Sequence, residues 1–289
     1  MVDLLQCLLQ TGALRIAPAD RPFWYTSGTL GPYYINTEYL YGGRERAERF
    51  LEVIEREKDD PLRCPAVLLG EVRKTYAEDA VYRGVVDRIA EVARTRIGLE
   101  AVDYVSGGER RDWFFSLMAG EVLERPLLMV FKDLSVVSVG PEGRAAPVER
   151  LDGKRTLHVA DLITEASSYV RAWVPAVARR GGRLAYAINV VDRDQGGAEA
   201  LRDQGVEAHA LARIDDSLFE TLRRQGDIDE AQFRALMAYR ADPKGAMRAF
   251  LLGHPGFLKE ALASPDARES KRARLLVETD PYGIVKRET

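Results

Sequence analysis

The chain has 289 residues, a formal net charge of −3, 46% hydrophobic residues and 30% charged residues. That balance suits a folded protein with a substantial core, in one large domain or two smaller ones. The near-neutral charge gives no electrostatic argument for nucleic acid or an anionic membrane, since both would need a basic face, and neither is expected as a partner.

The pattern of apolar residues predicts the elements in chain order. Leu4, Leu5, Leu8 and Leu9 give a helical stripe from about Asp3 to Gln10, ended by Gly12. A turn-rich aromatic stretch from Phe23 to Tyr41 precedes a charged helix from about Arg44 to Lys58. Val67 to Leu69 reads as a short strand, and Glu78 to Thr95 as a long helix. From residue 100 strands and helices alternate, which argues for a parallel sheet with crossover helices. The strands are Val102–Ser106, Leu127–Phe131, Thr156–Ala160, Leu184–Val191 and Ala208–Ala212. The helices are Asp112–Leu123, Ser168–Arg179 and Ala198–Gln204. From Asp216 short amphipathic helices follow. Asp227 and Glu230 have capping-box spacing, and Pro243, Pro255, Pro265 and Pro281 punctuate the segment. The expected division is 1–99, an N-terminal hood with helices; 100–215, an α/β core; and 216–289, a helical extension.

Cys7 and Cys64 lie far apart without CxxC spacing and read as ordinary thiols of a reducing compartment. The first residues show no basic stretch followed by an apolar one, and no apolar run reaches the roughly 18 residues of a spanning helix. The cytoplasm is the expected location. His158 lies within an apolar strand and reads as a core or interface residue. His209 and His254 have no metal-like spacing, and no metal site is expected. Trp24 and Trp173 read as packing residues. No nucleophile elbow or Walker pattern occurs.

The most informative stretch is Gly153 to Arg193. A buried strand ends in Asp161, and a short polar loop then opens a helix. Loops at the carboxyl ends of parallel strands bind ligands, and a helix N-terminus offers N–H groups to phosphate. The plain alternative is an ordinary strand-to-helix connection.

This stretch resembles the motif by which type I phosphoribosyltransferases bind phosphoribosyl pyrophosphate (PRPP): a strand, two acidic residues, then a Thr- and Gly-rich phosphate loop. Leu8–Leu14, Thr26-Ser27-Gly28 and Gly31-Pro32-Tyr33-Tyr34-Ile35-Asn36 resemble the hood of the orotate phosphoribosyltransferase branch. Val190-Val191-Asp192-Arg193 followed by Gly196-Gly197 resembles the strand and turn after the PRPP motif in orotate enzymes. The resemblance implies a type I phosphoribosyltransferase fold, an orotate, nucleotide or PRPP-like ligand, a homodimer, and Mg²⁺ where the enzyme is active.

Carried over by position, Asp161 would bind ribose hydroxyls. Thr164, Ser167 and Ser168 would line the phosphate loop, Gly107, Gly108 and Arg110 the pyrophosphate loop, and Tyr33 and Tyr34 the flat base. Lys132 would be the surviving lysine of the catalytic loop.

The departures are as informative. Ala160 lacks the first acidic side chain, Ala166 and Ser167 stand where relatives have glycines, and Glu165 brings negative charge to the loop. Thr26 replaces a lysine. Arg110-Arg111-Asp112-Trp113 replaces small residues, and the two arginines are candidates to make good the missing lysines. In the basic mobile loop Asp133 and Ser135 take lysine positions. Ser135 to Val139 reads as a strand arm turning at Gly140-Pro141-Glu142-Gly143. Its apolar edge would need covering, which also points to a dimer. The expected function is a catalytically weakened or non-catalytic orotate phosphoribosyltransferase relative that binds a nucleotide or phosphorylated ligand. The alternatives are an active orotate phosphoribosyltransferase and a related enzyme with another substrate.

Overall fold

A computed structural model describes residues 3–140 and 143–284. Helix α1 (Leu4–Gln10) is capped by the Asp3 carboxylate, which accepts from Leu5 N and Gln6 N. Four short strands follow: β1 (Leu14–Ile16), β2 (Phe23–Trp24), β3 (Leu30–Gly31) and β4 (Tyr33–Ile35). After a 3-10 turn at Thr37–Leu40 come α2 (Arg44–Glu57), α3 (Cys64–Glu78) and α4 (Ala80–Val92). The core then runs β5 (Tyr104–Gly108), α5 (Trp113–Val122), β6 (Leu127–Val130), β7 (Val136–Val139), β8 (Ala145–Pro147) and β9 (Arg155–Ile163). It continues with α6 (Val174–Ala178), β10 (Arg183–Asp192), α7 (Gly197–Asp203) and β11 (Glu207–Arg213). The last elements are α8 (Asp216–Gln225), α9 (Glu230–Ala241), α10 (Pro243–Gly253), α11 (Pro255–Leu262) and α12 (Ala267–Thr279).

These elements form two compact units. The larger comprises residues 3–13 and 36–215, the smaller 14–35 and 216–284. In the larger unit a seven-stranded sheet has the order β11-β10-β9-β5-β6-β7-β8 among the described residues. The first four pairings are parallel, and β6–β7 and β7–β8 are antiparallel. This is the expected parallel sheet with crossover helices. Leu128, Val130, Ile163, Tyr169, Trp173, Leu184 and Ala187 belong to one buried cluster around the sheet. Residues Trp113 to Gly120 of α5 are all buried, as a helix without a polar face requires.

The expected strand at Val67–Leu69 is instead part of α3. Pro65 starts that helix, and Leu68, Leu69, Val72 and Thr75 form its buried face. A three-residue apolar run fits either period, and here the 3.6-residue spacing beyond it decides. The expected arm is present as β7, with Val136, Val137 and Val139 all buried between β6 and β8. Its apolar edge is therefore covered within the chain. Gly140 accepts from Gly143 N at 2.9 Å; Pro141 and Glu142 of the expected turn lie outside the described residues.

In the smaller unit β1 pairs with β4 and β2 with β3. Trp24, Leu30, Met247, Leu251, Ala273, Leu276 and Tyr282 form its core, and Trp24 stacks on Phe257 at 5.6 Å. The capping box of α9 is Asp229 with Gln232, not Asp227 with Glu230. Asp227 N instead bonds back to Leu222 O, so Asp227 closes α8. Asp242 and Asp266 cap α10 and α12. No helix among the described residues is long and apolar enough to cross a membrane.

Candidate functional site

The carboxyl ends of β5, β6 and β9 open onto a cleft of about 490 Å³ in the larger unit. Arg110, Lys132, Asp161, Thr164, Ser167 and Ser168 all line it, so the structure brings six sequence-predicted residues together. Gly107 and Gly108 end β5 beside it. Tyr33 and Tyr34 belong to the smaller unit. Tyr33 is 1% exposed, its ring against Phe219 and Tyr239; Tyr34 is half-buried against Phe23 and Tyr25. Tyr33 thus serves as core packing where it stands.

Strand β9 runs into the cleft and leaves Thr164–Ala166 as a loop; Ser167 and Ser168 begin the helix, which continues as a π-type turn at Tyr169–Trp173. Ala166 holds φ +56 and is buried. The left-handed turn that glycine would give freely is therefore kept by an alanine, at a conformational cost of about 1–2 kcal/mol. The N–H groups of Glu165, Ala166, Ser167 and Ser168 donate to no other described group. They stand free at a helix N-terminus, the arrangement that suits phosphate. Glu165 is exposed to solvent. Behind the loop, a side chain on Gly197 would meet Thr164 O at 2.6 Å, so glycine is needed there.

The floor of the cleft is a buried polar chain. Ser106 Oγ lies 3.0 Å from His158 Nδ1, and His158 Nε2 lies 3.2 Å from Asp112 Oδ2. Asp112 also accepts from Gly108 N at 3.0 Å and from Asp161 N at 3.3 Å. Asp161 Oδ2 accepts from Thr37 Oγ1 at 2.8 Å. Burial, and next the charge of Asp112, push the Asp161 carboxyl up to about 8. His158 is fully buried and hydrogen-bonded, the core role expected of it. Trp173 packs directly over Gly108, where any side chain would collide with the indole. It is a packing residue that also lines the cleft.

The cations of the cleft each have a carboxylate partner. Arg110 pairs with Glu55, and Arg111 Nη2 lies 3.2 Å from Glu38 Oε1. Lys132 Nζ is 4.0 Å from Glu109 Oε1, while its N–H donates to Glu109 Oε2 at 3.0 Å. Lys58 Nζ approaches Glu109 as well, at 3.9 Å. Asp133 accepts from Ser135 N at 2.9 Å and shapes the turn into β7.

Magnesium asks for ionised, open carboxylate oxygens. Ala160 offers none, both Asp112 oxygens are engaged, and Asp161 holds its proton at neutral pH. These side chains do not fit a magnesium ion held by the protein itself. Sequence reasoning assigned no role to Thr37, Glu38 or Asp112. The signal available for Asp112 was a carboxylate at a position where relatives carry a small residue.

No protein-family model matches the chain. The orotate phosphoribosyltransferase of Methanosarcina mazei is 33% identical over 130 residues, covering 45% of this chain and 67% of that protein. The orotate phosphoribosyltransferase of Pyrobaculum aerophilum is 28% identical over 170 residues, covering 58% of this chain and 82% of that protein. The crystal structure of orotate phosphoribosyltransferase from Francisella tularensis superposes with a TM-score of 0.55 at 14% identity, over 83% of this chain and 98% of that chain. At that identity the superposition shows the fold alone, and the fold is the one the sheet order describes. With a relative one-third identical across two-thirds of its length and a shared sheet architecture, the chain belongs to the orotate phosphoribosyltransferase family, of type I phosphoribosyltransferase fold.

Proposed function

We propose that this chain is a catalytically weakened or non-catalytic member of its family that binds a nucleotide or phosphorylated ligand in the cleft. The observation that carries the reading is the pairing of Arg110, Arg111 and Lys132 with Glu55, Glu38 and Glu109. A departing pyrophosphate needs uncompensated positive charge around it, and one well-placed charged donor is worth about 10²–10³ in rate. Here the same space is lined by Glu109, Asp112 and Glu165. Asp112 also occupies Gly108 N, a donor of the loop carried over for pyrophosphate. The Thr164–Ser168 loop, with its free N–H groups, supports a bound phosphate group. In this reading Thr164, Ser167 and Ser168 hold the phosphate, and Asp161 and Lys132 face the sugar and its leaving group.

The alternative, an active orotate phosphoribosyltransferase, draws support from that same loop. Ala166 keeps a costly left-handed conformation, which a protein with no use for the cradle has no reason to retain. The test is orotate consumption with saturating PRPP and Mg²⁺, paired with titration of orotidine 5′-phosphate. Our reading expects nucleotide binding with turnover far below 1 per second. Turnover of about 1–10³ per second would establish the active enzyme instead. The reading also carries over a homodimer, as in the resembling family; a monomeric mass by light scattering at micromolar concentration would remove it.

A further inference from the structure

The smaller unit has a groove of its own, of about 720 Å³, between the Thr26 turn and one face of α12. Among the described residues its lining includes Arg268, Lys271, Arg272 and Arg274, against a single carboxylate, Glu278. We propose that this groove is a binding site for an oligophosphate, the chain of two or three linked phosphates found in small phosphorylated metabolites.

Three observations carry the assignment. The first is unspent charge. Arg268, Lys271 and Arg274 are exposed and pair with no carboxylate among the described residues. The cleft of the larger unit is the reverse, with each of its cations paired. The nearby acids are engaged elsewhere: Glu269 accepts from Ser264 Oγ at 2.6 Å, and Asp266 caps the helix through Arg268 N at 2.7 Å. On a chain with a net charge of −3, a concave surface with this excess of cations stands apart.

The second is preorganisation. Arg272 Nη1 donates to Trp24 O at 2.8 Å, which fixes one guanidinium at the groove wall. The wall is rigid because α12 seats directly on the Ser27-Gly28 turn. Gly28 has φ +79, and a side chain there would meet Leu276 N at 3.0 Å. Fixed donors lose less freedom when a ligand arrives.

The third is the match of size and chemistry. Arg268 to Arg274 spans about 9 Å of helix rise. A single phosphate meets only part of that row, whereas an oligophosphate reaches along it. Thr26 and Ser270 add hydroxyls to the lining, and no aromatic ring lines the groove. Single-stranded nucleic acid, which binds through stacking platforms, lacks one here.

The experiment is calorimetric titration of the full-length protein with inorganic tripolyphosphate, at low salt and without magnesium. The wild type binds. Lys271→Ala combined with Arg274→Ala weakens binding on the order of tenfold or more, and the charge-conserving Lys271→Arg with Arg274→Lys restores it. The assignment is overturned by an absence of tripolyphosphate binding or by undiminished binding in the double alanine variant. Tighter binding of a single-stranded oligonucleotide of equal charge also overturns it. None of these outcomes bears on orotate turnover, so this site and the proposed function stand or fall separately.

Discussion

Thr37 Oγ1 donates to Asp161 Oδ2 at 2.8 Å, joining residues 124 positions apart in a buried contact. Asp161 ends the strand that feeds the phosphate loop, and Thr37 opens the 3-10 turn that also carries Glu38. One short segment, 37–38, therefore holds both the carboxyl at the cleft floor and, through Glu38, the guanidinium of Arg111.

The protonation of Asp161 gives the first prediction. Its carboxyl is raised from an ordinary 3.8 to about 8, so the folded chain keeps a proton that the unfolded chain releases. Below about pH 4 both states are protonated. Between pH 4 and 8 ionisation favours the unfolded state, and above 8 both are ionised. Wild type should lose stability relative to Asp161→Asn as pH rises from 4 to 8, then level off. Urea midpoints of the two proteins across pH 4–9 measure this; a pH-independent difference contradicts it.

Glu38→Gln should release Arg111. Glu38 is buried, and its Oε2 has no hydrogen-bond partner among the described residues, so its negative charge serves chiefly the arginine. Pyrophosphate affinity, measured by titration, is expected to rise about fivefold, the scale of one exposed ion pair. Unchanged or weaker binding would show that Arg111 is not restrained by this pair.

Ala166 separates conformational strain from side-chain size. Glycine at φ +56 relieves about 1–2 kcal/mol of strain, which the lost methyl burial and added chain entropy offset by a similar amount. Ala166→Gly should therefore lie within about 1 kcal/mol of wild type. Ala166→Val, β-branched in the same left-handed turn, should cost about 2 kcal/mol or more. Denaturant unfolding compares them, and equal costs would refute the strain assignment.

Most of the parallel strands were legible because an apolar run is followed by a helical period, as at Arg155–Ile163 and Arg183–Asp192. Asp161, Thr164 and Ser168 were legible because the loop they flank is local in sequence. The ion pairs that decide the charge of the cleft were not. Arg110 meets Glu55 and Arg111 meets Glu38 across 55 and 73 positions, and no local pattern marks such partners. The pairing of Thr37 with Asp161 has the same character. Val67–Leu69 was misread because its three-residue run satisfies two periods at once.

Tyr282→Phe tests how the C-terminal helices hold the early strands. Leu30 N donates to Tyr282 Oη at 2.7 Å in a buried position. Removing the hydroxyl leaves a buried N–H without an acceptor, at a cost of about 1–3 kcal/mol. Faster hydrogen exchange at the Leu30 amide, with a lower denaturant midpoint, is the expected result; unchanged exchange would show that the contact does not hold β3.

That bond joins residues 252 positions apart, and its consequence lies in the order of synthesis. At about 5–20 residues per second, Leu30 leaves the ribosome roughly 10–50 s before Tyr282 is made. Until α10 is made, Trp24 and Leu30 have none of the helical partners that bury them in the finished protein. The larger unit has all of its strands, through β11, before the smaller unit has its first C-terminal helix. The nascent chain thus carries an unshielded apolar hairpin, the kind of segment that chaperones engage, until the helices from α10 onward arrive.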